Sequence, residues 1–274
     1  MFSSRRRVLP GFRLSLSFTL VYLGLLVVIP LSAAFFKASG LGWTEFQRAV
    51  WTERARAAYA LTFGASAIAA STNVVLGLLL AWVLERYQFP LRRLLDALID
   101  LPFALPTAVA GLVYSSLYVP SGWLGRFLVP LGIEAAYSRL AIVLVLIFVS
   151  LPFVVRTVQP VLASLELEIE EAATLLGAGR FHTFVRVLLP ELFPPLVTGF
   201  ALAFSRCLGE YGSVVFVSSN MPLKTQIAPV LIVQLLEQFA YSEATAVAVV
   251  LLAASFVLLA LINRLDRWSR NYAV

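Results

Sequence analysis

The chain has 274 residues, of which 60% are hydrophobic and 13% charged, with a net charge of +6 and a mean hydropathy of +0.89. A water-soluble domain carries about 25% charged residues, so a surface facing water on all sides is excluded and the composition is that of a chain facing lipid. Nineteen of the 21 basic residues are arginine, set in short groups between apolar runs, a pattern that fits a membrane face rather than a nucleic-acid groove. Cys207 is the single cysteine, so no intrachain disulfide can form and no redox compartment is indicated.

A spanning helix needs about 20 apolar residues to cross a hydrocarbon core about 30 Å thick. Six stretches qualify in chain order: 14–36, 57–84, 96–119, 140–162, 192–217 and 244–262. They predict an all-α integral membrane fold, one transmembrane domain over residues 1–274. The first stretch follows Arg5, Arg6 and Arg7 and has the outline of a secretory signal. Its 23 charge-free residues exceed a signal core of roughly 7 to 15, which predicts a retained span. With the N-terminus inside, twelve basic residues fall in inner segments and seven in outer ones, with Arg156 and Arg206 inside spans. That bias predicts both termini in the cytoplasm. A short echo links Leu101-Pro102-Phe103 with Thr107 to Leu151-Pro152-Phe153 with Thr157. It has two readings: paired broken helices along a transport pathway, or two unrelated proline kinks.

Residues 164–191, between the fourth and fifth stretches, form the longest inner loop and are not patterned as a linker. Ser164 is a candidate helix cap. Glu166, Glu168, Glu170 and Glu171 suit early helical turns, where the dipole attracts negative charge. Gly177 is placed to end that helix in a left-handed turn, and 180–187 predicts a second short helix stopped at Pro190. The loop reads Glu171-Ala172-Ala173, three residues, Gly177, nine residues, Val187, one residue, Leu189-Pro190. This resembles the EAA loop of ABC-importer permeases at every position of the pattern. The stretches 98–111 (LIDLPFALPTAVAG), 152–160 (PFVVRTVQP), 208–212 (LGEYG) and the opening 6–12 are similar to the sulfate and thiosulfate branch of that family, much of which molybdate and tungstate permeases share.

The resemblance implies a type I ABC-importer transmembrane domain with a cytoplasmic coupling-helix loop, in the inner membrane of a bacterium. It further implies an ATPase-coupling role for Glu171, Ala172, Ala173, Gly177, Val187, Leu189 and Pro190. The implied partners are a second, homologous permease subunit, two copies of an ATP-binding subunit, and an extracytoplasmic sulfate-binding protein. ATP and magnesium would be bound by the ATPase and no cofactor by this chain, with no nucleic acid involved. The residues agree with that division. No G-x-x-x-x-G-K-[ST] is present, since Lys224-Thr225 follows Leu223. His182 and Cys207 are too few for the usual metal ligand sets, and no G-x-S-x-G supports an intramembrane hydrolase. A pure scaffold would leave the spacing of the loop as coincidence.

Charges inside spans carry the remaining expectations, because each costs roughly 2.5 to 3.5 kcal/mol at a helix centre on insertion scales. Arg206 and Glu210 share a helix face. One reading puts Arg206 beside the pathway, easing an oxyanion past a gate; the other makes the two a neutralising structural pair. Arg156 is expected to snorkel to the interface. Asp100 is expected either to cap a helix or to pair with Arg92 or Arg93.

Overall fold

A computed structural model describes the backbone of residues 11–272 and the side chains of 11–264 apart from Leu167. The expectations placed on Arg5, Arg6 and Arg7 fall outside the described side chains, as do Arg267 and Arg270 of the twelve inner basic residues and most of the opening 6–12. Apart from one isolated bridge between Tyr137 and Ser218, the described regular structure is helical. Among the described residues, five helical runs are long and apolar enough to cross a membrane: Phe12–Ser39, Glu53–Arg86, Arg139–Ser164, Arg180–Leu208 and Tyr241–Arg264.

The first run joins α1 (Phe12–Leu23) to α2 (Ile29–Ser39) through a widened π turn, Gly24–Val28. The turn sits immediately before Pro30, and the Ile29 N–H reaches back to the Gly24 carbonyl. Proline has no N–H and its ring crowds the carbonyl four residues earlier; widening the turn moves that carbonyl aside. After the amphipathic α3 (Trp43–Val50) comes α4 (Glu53–Arg86), 34 residues long. Thr52 caps it, its Oγ1 accepting from Ala55 N at 3.1 Å. Ala58, Ala65, Ala69, Ala70 and Ala81 of α4 are buried, small residues that let neighbouring backbones approach closely.

The expected span 96–119 is not one helix. It is α5 (Arg92–Ile99), α6 (Leu101–Ala104) and α7 (Thr107–Tyr118). Pro106 accounts for the second break, since the residue before a proline is driven out of the helical region and Leu105 is extended at φ −84°, ψ 132°. The twelve residues of α7 cover about 18 Å, short of a full crossing.

Beyond the short α8 (Gly125–Leu128) lies α9 (Arg139–Ser164), which stays continuous through Pro152 and Pro160. The echo is therefore not a pair of broken helices; only its first copy lies at a break. The two copies do touch, Phe103 meeting Phe153 edge-on at 5.2 Å.

The chain then forms α10 (Leu167–Leu175), α11 (Arg180–Thr183), a second π turn (Phe184–Leu188) and α12 (Leu189–Leu208). Contrary to the expectation of a stop at Pro190, α11 runs into α12 as one 29-residue helix. The reason is the one seen at Pro30: the Leu189 N–H bonds the Phe184 carbonyl just before Pro190, so the proline is absorbed. The expected span 192–217 instead ends at Leu208, and a break precedes α13 (Val214–Val217), α14 (Ala228–Glu237) and α15 (Tyr241–Tyr272).

The packed centre is α4, α9 and α12. Leu84, Val154, Val155, Val158, Leu162, Leu192 and Phe204 bury together toward one end of it, and Ala65, Ala69, Ile142, Val145 and Val149 toward the other with Cys207, Val214 and Val217. The Phe12–Ser39 run has none of its apolar window buried. It stands outside this centre, packed on α15.

Candidate functional site

Residues 164–190 cap one end of the bundle as a hairpin with two unequal limbs. Ser164 closes α9 rather than opening α10: its Oγ donates to Val161 O at 2.8 Å. The residue preceding α10 is Glu166, in extended conformation, so the helix starts two residues later than a Ser164 cap required. Glu168 and Glu170 occupy the first turn of α10, where the helix dipole favours them. Gly177 lies at φ +84°, and Ala178 N bonds Ala173 O at 3.0 Å while Gly177 N bonds Thr174 O at 2.9 Å. This is a Schellman closure, the left-handed turn that glycine takes without a Cβ penalty.

The residues of the E-A-A pattern divide between two faces. Glu171, Ala172 and Gly177 are exposed on the outer side of the hairpin, and Ala173 is half-buried. Val187 and Leu189 are half-buried against the bundle, with Leu189 packed on the main core and Pro190 exposed beside it. Around the outer set stand Leu175 and Leu176, each 89% exposed, and Phe181, 81% exposed. The E-A-A pattern does not include these three; the signal in the sequence is their position on either side of a glycine turn within a loop. His182 is exposed beside them. Large apolar side chains projecting from a charged helical end form a surface of the kind that a protein partner or a membrane covers.

Inside the bundle, Arg206 and Glu210 form an ion pair at 2.6 Å, with Glu210 2% exposed and Arg206 31%. The other carboxylate oxygen, Oε1, accepts from both the backbone N and the Oγ of Ser213 at 2.8 Å. Glu210 thus holds together the chain break between α12 and α13, where backbone donors have no helical partners. That break packs tightly on the start of α7. A Cβ on Gly212 would overlap Thr107 Oγ1, and one on Gly111 would overlap the Ser213 carbonyl, so the two interrupted segments touch through their glycines.

Arg156 does not snorkel. It grips Asp100 with two nitrogens, Nε at 2.9 Å and Nη2 at 2.6 Å, and Asp96 with Nη1 at 2.7 Å. Nη1 also donates to Gln159 Oε1 at 2.6 Å, and Gln159 passes the contact on to Glu85 at 2.8 Å. Asp100 therefore neither caps α6 nor pairs with Arg92, which instead reaches Glu85 at 3.5 Å. The forked geometry of guanidinium on carboxylate is the strong form of such a bond. It fastens α5 and α6 to α9 across a long stretch of sequence. Among the described residues, no group of three His, Cys, Asp or Glu side chains is placed to hold a metal ion.

Comparison with known proteins agrees with this geometry. Residues 73–271 match the family described as "Binding-protein-dependent transport system inner membrane component". The chain is 51% identical over 255 residues to the sulfate transport system permease protein CysT of Synechocystis sp., covering 93% of this chain and 89% of that one. It is 48% identical to the CysT protein of Escherichia coli, covering 96% and 95%. Its fold is similar to that of a bacterial ABC transporter involved in the import of the acidic polysaccharide alginate, with a TM-score of 0.77 at 17% identity, covering 94% of this chain and 96% of that one. A multi-pass membrane chain with this helical order and this extent of match is a membrane component of an ABC importer, and it belongs to the binding-protein-dependent transport system inner membrane component family.

Proposed function

We propose that this chain is one pore-forming subunit of an ATP-driven importer of sulfate and thiosulfate. The observation that carries the substrate is the identity of about one half with proteins named sulfate permeases, over more than nine tenths of the chain. The chain contributes no ATPase site of its own. Its hairpin faces the cytoplasm and seats an ATP-binding subunit, with Glu171, Ala172 and Gly177 on the docking face and Leu175, Leu176 and Phe181 as apolar contacts. Both termini lie on that same side. A second, related permease subunit completes the pore, two ATP-binding subunits hold ATP and magnesium, and an extracytoplasmic protein delivers the anion. ATP-driven closure of those subunits moves the hairpin, and the helices switch between outward and inward access.

Within this reading Glu210 is structural, because both of its oxygens are engaged at the break, and Arg206 is its partner. The test is uptake of labelled sulfate into proteoliposomes holding this chain with its partner subunits. Uptake is expected to depend on ATP and on this chain, and to fall with excess unlabelled thiosulfate far more than with equal molybdate. Stronger competition by molybdate would move the assignment to the molybdate and tungstate importers.

A further inference from the structure

The two limbs of the hairpin are anchored by different means, and the difference singles out one pair of residues. The second limb is continuous with α12 through the π turn. Thr183 and Leu188 are buried, and Phe184 packs edge-on against Trp82 of α4 at 5.6 Å. The first limb, α10, has none of these supports among its described side chains. Glu168, Ile169, Glu171, Ala172, Thr174 and Leu175 are exposed, and of the described residues only Glu170 and Ala173 are partly covered. Nine residues of helix do not hold their own shape in water, since isolated helices below about 12 residues are marginal.

What fastens α10 to the bundle is Glu170. Its Oε1 lies 2.7 Å from Nη2 of Arg86, the last residue of α4, with the two side chains 27% and 14% exposed. Of the ion pairs among the described residues, this one alone joins the hairpin to the transmembrane helices. The Arg86 guanidinium also stands over the Trp82 ring, 5.8 Å from its centre, and Trp82 is the ring that Phe184 meets. Arg86 therefore touches the first limb directly and the second through one tryptophan.

We propose that Arg86 and Glu170 are the link by which movement of α10 is passed to α4 and so to the pore, Arg86 serving as a positioning residue for transport. This rests on the hairpin being the seat of the ATPase. The chemistry favours transmission over stability. The contact is close but poorly aligned, and Nε and Nη2 of Arg86 and Oε1 of Glu170 are buried without a hydrogen-bond partner. A covered pair with its hydrogen bonds unmade contributes less stability than apolar side chains would. It does fix where one short helix sits on the end of a 34-residue one. Neighbouring glutamates thus have opposite tasks, Glu171 facing the partner subunit and Glu170 the pore. α4 is packed along its length on α9 and α12, so a displacement at Arg86 acts on the whole centre of the bundle.

The experiment uses the assembled importer in proteoliposomes and measures three quantities: ATPase subunits retained on purification, ATP hydrolysed, and labelled sulfate imported. Glu170→Gln keeps the size and removes the charge. It is expected to leave the ATPase subunits bound while the ATP consumed per sulfate rises about fivefold, at the low end of typical coupling effects. Arg86→Glu and Glu170→Arg should each raise that ratio by about tenfold, and the double exchange Arg86→Glu/Glu170→Arg should bring it back to within about threefold of the parent. An unchanged ratio in Glu170→Gln overturns the link, as does an assembled double exchange no better coupled than the singles. Glu171→Lys separates the two ideas. If that variant keeps its ATPase subunits and its coupling, the docking face is wrong, whereas a failure confined to the Glu170 and Arg86 variants leaves docking standing.

Discussion

Arg156 and Arg206 lie within the apolar stretches of spanning helices, and each has a side chain 31% exposed, yet they are built into the molecule in opposite ways. Arg206, in the last turn of α12, finds its partner four residues on, just past the end of that helix, and that partner, Glu210, is almost wholly enclosed. Arg156 finds its partners 56 and 60 residues back in the sequence, on α5 and at its C-terminal end, and both carboxylates are 40% or more exposed. The first arrangement repairs a break within one segment. The second ties a separate, fragmented segment to the packed centre. A charge inside a membrane protein is costly wherever it sits, but what it does depends on whether its partner is local or distant.

The largest effect should come from Glu210. Glu210→Ala strands Arg206 and removes both contacts to Ser213, and breaking a buried pair in this way costs about 3–5 kcal/mol. The check is thermal unfolding of the purified chain in detergent, with Glu210→Gln losing distinctly less because an amide oxygen still accepts from Ser213. Loss of stability no greater than that of a surface substitution would break the contrast.

Next is the glycine contact between the two interrupted segments. Gly212→Ala and Gly111→Ala should each cost about 1–3 kcal/mol by overpacking. Thr107→Ala should relieve Gly212→Ala, whose clash is with a side chain, and leave Gly111→Ala unrelieved, whose clash is with the Ser213 backbone. Equal rescue of both would contradict the packing described.

The smallest effect belongs to Arg156. Arg156→Ala leaves Asp96 and Asp100 unpaired but within reach of water, so the expected loss is about 1–2 kcal/mol. It should appear chiefly as faster proteolysis within 90–105, the segment that Arg156 holds down. A loss matching that of Glu210→Ala would erase the distinction between local and distant pairing.

What could be read from the sequence follows the same division. The i, i+4 spacing of Arg206 and Glu210 is a local fact, and the pair is present. The apolar runs mark the helices, and Gly177 announces its turn because only local backbone geometry is at issue. Distant pairing is not written locally, so nothing near Arg156 named Asp96 or Asp100, and snorkelling was the natural expectation. Proline misled in both directions for one physical reason. Pro190 and Pro152 are absorbed into continuous helices, the first behind a widened turn, whereas Pro106 drives Leu105 into an extended conformation and breaks the third segment. Leu175, Leu176 and Phe181 were hidden by being apolar in an apolar chain; their exposure around the Gly177 turn, at the end of the bundle, is a feature of the folded hairpin.

The central claim is that this chain moves its anion only when its hairpin is engaged by an ATPase. It is tested most directly by ATP-dependent sulfate uptake in proteoliposomes containing the partner subunits, with Glu171 intact or changed to Lys and insertion of the chain verified in both. The account predicts robust uptake with Glu171 and uptake at background with Glu171→Lys. Equal uptake by the two would contradict it.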